Sequence, residues 1–252
     1  VGTDFYWEGE VTLLYDEDGN IIDIYDVPVD GEIPITTLEY HLKRESKLEL
    51  LSMVTPYGNG LDLGFDGKTF TFDVSDFGPI LNGERFISIE MGGQWQEDLD
   101  IQFHFIKGTP PREVLSIQNL WAFERGWYQA IVDDTKFETR TLSFNPDGDA
   151  FKLRSSVTGH GQNGEFVPRS HYLNLNGGSQ EYIYQVWKEC GYNPVYPQGG
   201  TWIFDRAGWC PGMATDVHEF DISDLVTPGG TAEIDYGVNG AVLSEANYLV
   251  SN

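Results

Sequence analysis

Short segments in which apolar and polar residues alternate recur about every ten residues along this chain, each closed off by glycine, proline, asparagine or aspartate. Alternation places successive side chains on opposite faces, which is the period of a half-buried strand and not of a helix. Val11–Tyr15, an acidic turn Asp16-Glu17-Asp18-Gly19-Asn20, and Ile21–Val27 read as a hairpin. Further strands are expected at Ile35–Leu42, Leu48–Val54, Thr69–Val74, Phe86–Glu90 and Ile101–Ile106. A second series runs through Val114–Leu120, Lys136–Phe144, Lys152–Thr158, His171–Asn176, Tyr182–Val186, Thr201–Phe204, His218–Ile222, Thr231–Tyr236 and Ala246–Val250. No stretch of helical period stands out. The two series meet at Gly108-Thr109-Pro110-Pro111, where two prolines cannot join a ladder. The expected architecture is therefore all-β: two antiparallel β-sandwich domains packed side by side, residues 1–108 and 112–252.

Composition agrees with that and narrows the partners. Among 252 residues, 40% are hydrophobic and 29 are glycine, which suits a turn-rich chain with real cores. Lys+Arg 15 against Asp+Glu 40 gives −25, so neither nucleic acid nor an anionic membrane is an expected partner. No apolar run reaches the roughly eighteen residues of a membrane span. The chain starts at Val1 without a signal segment and reads as a processed or trimmed form. Its two cysteines, Cys190 and Cys210, suit one disulfide in an exported protein, whether secreted, periplasmic or on the cell surface. They lack the spacing of a zinc or redox site, and five histidines show no His-x-His or His-x-Met spacing, so no metal or other cofactor is expected. The acidic turn at 16–20 lacks EF-hand spacing and reads as a solvated turn, with a calcium-dependent adhesive module as the competing reading.

The most unusual stretch is Gly199–Met213, GGTWIFDRAGWCPGM. Its residue types allow two readings. One is a disulfide-pinned corner with structural charges. The other is a rigid wall of a sugar site, with arginine as a donor fork and tryptophan as an apolar face. Asp205-Arg206-Ala207-Gly208-Trp209-Cys210-Pro211-Gly212-Met213 resembles the signature run of the C-terminal domain of the peptide-N-glycosidase F family. Gly164-Glu165-Phe166, Arg169 and His171 are similar to a second part of that domain. Val54-Thr55-Pro56-Tyr57, Phe72–Phe77, Leu81-Asn82-Gly83 and Gly108-Thr109-Pro110 are similar in order and spacing to its first domain. The resemblance covers roughly residues 50 to 215 and is poor over the first 45.

The resemblance implies two jelly rolls with the site in the cleft between them. It implies hydrolysis of the amide joining the innermost N-acetylglucosamine to an asparagine side chain, with no metal, on an N-glycosylated peptide or glycan. Such an amide needs a positioned water, a carboxylate base and oxyanion donors. Residue by residue, Glu165 matches a family glutamate followed by an aromatic residue, an arginine and a histidine. Glu90, on the polar face of Phe86–Glu90, matches another glutamate by its distance from Gly108, although the tryptophan expected just after it is absent. Arg206 either holds a carbonyl oxygen of the substrate or orients Glu165, Trp209 offers a stacking face, and His160 lies in the same glycine-rich loop as Glu165. For each the plain alternative stands beside it: a surface loop carboxylate, a solvent-facing strand residue, corner packing. Asp205 is expected to tie down the turn.

One departure is large. The family's principal catalytic aspartate sits in a Trp-Asp-Arg context in the first domain, and this chain has no such tripeptide. Asp4, by its distance from Val11–Tyr15, is the stand-in; Glu8 beside Trp7 is the other acidic neighbour. Loss of a principal group typically costs several powers of ten in rate while binding survives. Two functions follow: an amidase on N-linked glycopeptides, or a non-catalytic relative that binds glycan, assembles with other chains through exposed sheet edges, or plays a structural part.

Overall fold

In a computed structural model the fold is all-β, with two short α-helices and three single 3-10 turns among the described residues. The structure describes residues 11–26, 47–58, 61–90, 98–178, 180–239 and 249–251. The chain divides into two compact units, Val1–Glu45 and Ser46–Asn252.

In the first unit, β1 (Val11–Tyr15) and β2 (Ile21–Asp26) form the expected antiparallel hairpin, with a bulge between Leu14 and Tyr15. Asp16 closes its turn: Oδ1 accepts from the backbone N–H groups of Asp18 at 3.0 Å and Asn20 at 2.7 Å. Those bonds to the charged form, chiefly from Asn20, hold the Asp16 carboxyl below its usual range. The acidic turn thus spends its first carboxylate on itself, as a solvated turn does. Among the described residues no three His, Cys, Asp or Glu side chains gather as a metal ion would require.

The second unit contains β3 (Met53–Val54), β4 (Arg125–Trp127), α1 (Tyr128–Val132), β5 (Arg140–Ser143), β6 (Lys152–Ser155), β7 (Thr158–His160), α2 (Gln162–Glu165), β8 (Arg169–Leu175), β9 (Gln180–Val186), β10 (Met213–Ala214), β11 (His218–Asp221), β12 (Thr231–Val238) and β13 (Leu249–Ser251). A four-stranded antiparallel sheet runs β5-β12-β8-β9, and a three-stranded one β4-β13-β7. β6 pairs with β11, and β10 with β3. β8 shows why its sequence makes a strand: Arg169, His171, Leu173 and Leu175 are buried while the residues between them are only partly so. Ile234, Val186, Tyr184, Tyr236 and Phe137 complete the core with them. Phe220 of β11 packs its ring on Tyr184 at 5.0 Å, joining the β6–β11 pair to the large sheet. His171 is fully buried and shares a hydrogen bond with the Tyr236 hydroxyl at 2.5 Å; burial, then His218 and Arg169, lowers its pKa to about 3.

Several expected strands are absent. Thr69–Val74, Phe86–Glu90, Ile101–Ile106 and Val114–Leu120 carry no ladder, and Leu48–Val54 contracts to β3. Their alternation is present, but Phe86 (96% exposed) and Phe105 (86%) have no apolar layer over them. A strand needs a neighbour for its backbone groups, and periodicity does not supply one. Thr201–Phe204 is a turn, not a strand, closed by the Phe204 N–H on the Thr201 carbonyl at 3.1 Å. Ile35–Leu42 lies outside the described residues.

Candidate functional site

The site is built where β7 runs into α2. Gly159 in β7 pairs with Val250 and has no room for a side chain: a Cβ there would meet the Gly164 carbonyl oxygen at 2.5 Å and Ala207 Cβ at 2.6 Å. That close approach lets the signature run dock edge-on. The Gly159 N–H donates to the Ala207 carbonyl at 3.0 Å, and the Ala207 N–H donates to the Glu165 carbonyl at 2.9 Å. Gly161 turns the chain at φ +79°, a conformation glycine tolerates, and its carbonyl accepts from the Glu165 N–H at 2.8 Å. Glu165 is thereby fixed by its own backbone before its side chain is considered.

The run itself is clamped from the other side. Arg206 and Lys188 exchange backbone bonds at 2.7 and 3.1 Å. Cys190–Cys210 is bonded, and Asp205 Oδ1 accepts from the Cys190 N–H at 2.9 Å, so Asp205 ties down the turn as expected. Lys188 forms an ion pair with Asp216, whose N–H donates to the Gly208 carbonyl at 2.9 Å.

Arg206 is fully buried, and its fork points inward. Nε donates to Glu165 Oε1 at 2.8 Å. Nη1 donates to the Phe204 carbonyl at 2.7 Å. Nη2 donates to the Thr201 carbonyl at 2.8 Å and its hydroxyl oxygen at 2.9 Å. The guanidinium carbon also lies 4.9 Å from the Trp209 ring centre, 5.1 Å from Phe166 and 5.7 Å from Tyr57. Of the two directions left open for this arginine, the structure shows the one toward Glu165. Glu165 is 20% exposed; one oxygen is held by Arg206, and the carboxylate still reaches solvent.

Trp209 is 7% exposed and donates Nε1–H to the Gly159 carbonyl at 3.1 Å. His160 stacks beside it at 5.6 Å and 29°, with Nε2 bonded to the Thr158 hydroxyl at 2.8 Å. Burial and then Arg125 lower the His160 pKa to about 4, so the ring is neutral near pH 7. With its ring packed against Arg206 and His160 and its N–H spent, Trp209 is a wall behind the Arg206 guanidinium, and the stacking face expected from sequence is covered. Glu165, Arg206, Trp209 and His160 thus converge. Glu90 does not share their contacts: it is 63% exposed and pairs with Lys47 at 2.7 Å. Asp4 lies outside the described residues.

Sequence reasoning missed Thr201, which takes both Nη2 bonds, and Lys188, which bridges to Arg206. The strand expected at Thr201–Phe204 concealed that a turn aims its carbonyls at one point. It also missed an open hollow of about 590 Å³ next to the ion pair, lined by Phe166, Trp187, Thr201, Ile203, Phe204 and Asp205.

The family model described as peptide-N-glycosidase F, C terminal, matches residues 127–248. Peptide-N(4)-(N-acetyl-beta-D-glucosaminyl)asparagine amidase F of Elizabethkingia miricola is 25% identical over 229 residues, covering 81% of this chain. The chain spans 62% of that protein's length. The solved structure of PNGase F, a glycosylasparaginase from Flavobacterium meningosepticum, is 22% identical over 45% of this chain and 43% of its own, with a TM-score of 0.39. PNGF-II is 23% identical over 50% of this chain and 25% of its own, with a TM-score of 0.38.

Proposed function

The chain is a relative of the peptide-N-glycosidase F family, and on that premise we propose that it hydrolyses the amide between N-acetylglucosamine and an asparagine side chain of N-glycoproteins. The observation that carries this reading is the Arg206–Glu165 pair, both members of which lie within the residues 127–248 that the family model matches: a carboxylate held at one oxygen by Arg206 and still reaching solvent. Water adds to the amide carbon, the C–N bond breaks, and the products are an aspartyl peptide and a glycosylamine. Glu165 is the catalytic residue of the reading, placed to take a proton from the attacking water and return one to the departing nitrogen. Arg206 is a positioning residue, since its donors are spent on Glu165 and on carbonyls. Trp209 and His160 are the wall that keeps this pair dry on one side. Glu90 and Asp4 remain proposed first-domain contributors, and the division into jelly-roll domains at 1–108 and 112–252 belongs to the same proposal. The same reading places the protein outside the cytosol, and the Cys190–Cys210 disulfide supports that.

The test is incubation with a denatured N-glycoprotein in heavy-oxygen water, with the peptide read by mass. The expected result is aspartate carrying one heavy oxygen at each former glycan site, and its loss in Glu165→Gln. Asparagine still glycosylated after long incubation overturns the proposal.

A further inference from the structure

The hollow beside the ion pair is apolar where it faces solvent. Ile203 (51% exposed) and Phe204 (56%) stand adjacent in the turn, and Phe166 meets Phe204 edge to face at 6.4 Å. Trp187 closes the lining. Its polar groups are turned to internal work. Thr201 gives its carbonyl and hydroxyl oxygens to Arg206, and Asp205 gives Oδ1 to the Cys190 N–H. A sugar ring brings several hydroxyls that need partners, and here few remain. An apolar side chain needs none and gains from the contact. The hollow is also continuous with the Glu165 site: Phe166 follows Glu165 in the chain, and its ring lies under the Arg206 guanidinium. A group in the hollow therefore lies next to the Glu165–Arg206 pair.

We propose that this hollow receives an apolar side chain of the polypeptide next to the glycosylated asparagine, which makes Ile203, Phe204, Phe166 and Trp187 determinants of peptide-sequence preference. This rests on the glycan-amidase reading of the same site and adds the peptide half of the substrate. Charge adds a second selection. The lining has one carboxylate, Asp205, and no basic residue, on a chain of net charge −25, so an acidic neighbour is disfavoured.

The experiment uses N-glycopeptides of one glycan, with Leu, Ser or Asp placed in turn at each position flanking the asparagine. Each is titrated into the Glu165→Gln chain, in which hydrolysis is suppressed, and affinity is read by calorimetry. At one flanking position Leu is expected to bind about tenfold tighter than Ser, from partial burial of one aliphatic side chain, with Asp weakest. In Ile203→Ser/Phe204→Ser, shown folded by its intact disulfide and circular dichroism, the Leu-to-Ser ratio is expected to fall near one. Binding without any Leu preference, or a preference unchanged in the double variant, overturns the inference and leaves the amidase reading standing. No binding of any glycopeptide overturns both.

Discussion

Replacing Arg206 by lysine keeps the charge and removes the fork. The guanidinium reaches Glu165, the Phe204 carbonyl and both Thr201 oxygens within 2.7–2.9 Å from three nitrogens spread across a plane. A lysine has one nitrogen and cannot stand at three places, so about two charge-assisted bonds are lost at about 1.5–3 kcal/mol each. The acceptors left behind are turn carbonyls around a fully buried side chain, where water does not replace the donor. The weakened contacts with Phe166, Trp209 and Tyr57 add to the loss. The expected cost is about 3–5 kcal/mol, or a fall in Tm of about 10 °C for a chain of this size. Urea and thermal unfolding followed by tryptophan fluorescence measure it, with Glu165→Gln as the control. That variant keeps an acceptor oxygen for Nε and is expected to lose under about 2 kcal/mol. An Arg206→Lys chain within about 1 kcal/mol of wild type would refute the reasoning, because the fork would then not be what holds the corner together.

Acid destabilisation is expected well above the carboxylate range. His160 titrates at about 4 and His171 at about 3 when folded, against about 6.5 unfolded. The unfolded chain binds more protons in that window, so stability is full above about pH 6.5 and falls with pH by up to about 2.7 kcal/mol per unit until His160 protonates; equal urea midpoints at pH 7.5 and pH 5 contradict this. Cys190→Ser/Cys210→Ser opens a loop of 20 residues and is expected to cost about 3 kcal/mol on the chain-entropy account, read from the same unfolding curves. Gly159→Val is expected to cost at least about 2 kcal/mol and to lower any hydrolysis, since its Cβ would strike Gly164 and Ala207 and push the Glu165 loop away from Arg206; an unchanged Tm would show that the two segments separate freely.

What the sequence made legible follows from how local each signal is. β8 and β12 were readable because alternation and burial agree there, and the hairpin at Val11–Asp26 because a turn sequence with glycine lies between two short alternating segments. The Cys190–Cys210 bond and the anchoring of Asp205 were readable because both are decided within twenty residues of chain. Phe86–Glu90 and Ile101–Ile106 have the same alternation and make no ladder, because a ladder is a property of two segments and only one was in view. Arg206 is the sharpest case. Its sequence neighbours, tryptophans, glycines and an aspartate, fit a fork turned outward to a ligand or inward to the protein. What decides is that Thr201–Phe204 makes a turn, so that its carbonyls converge on one buried point. A buried guanidinium must find acceptors for its donors, and once those carbonyls and Glu165 supply them, nothing of the fork is left for substrate. In the proposed reaction the ligand-facing chemistry therefore falls to the carboxylate that the arginine holds, one step along from the arginine itself.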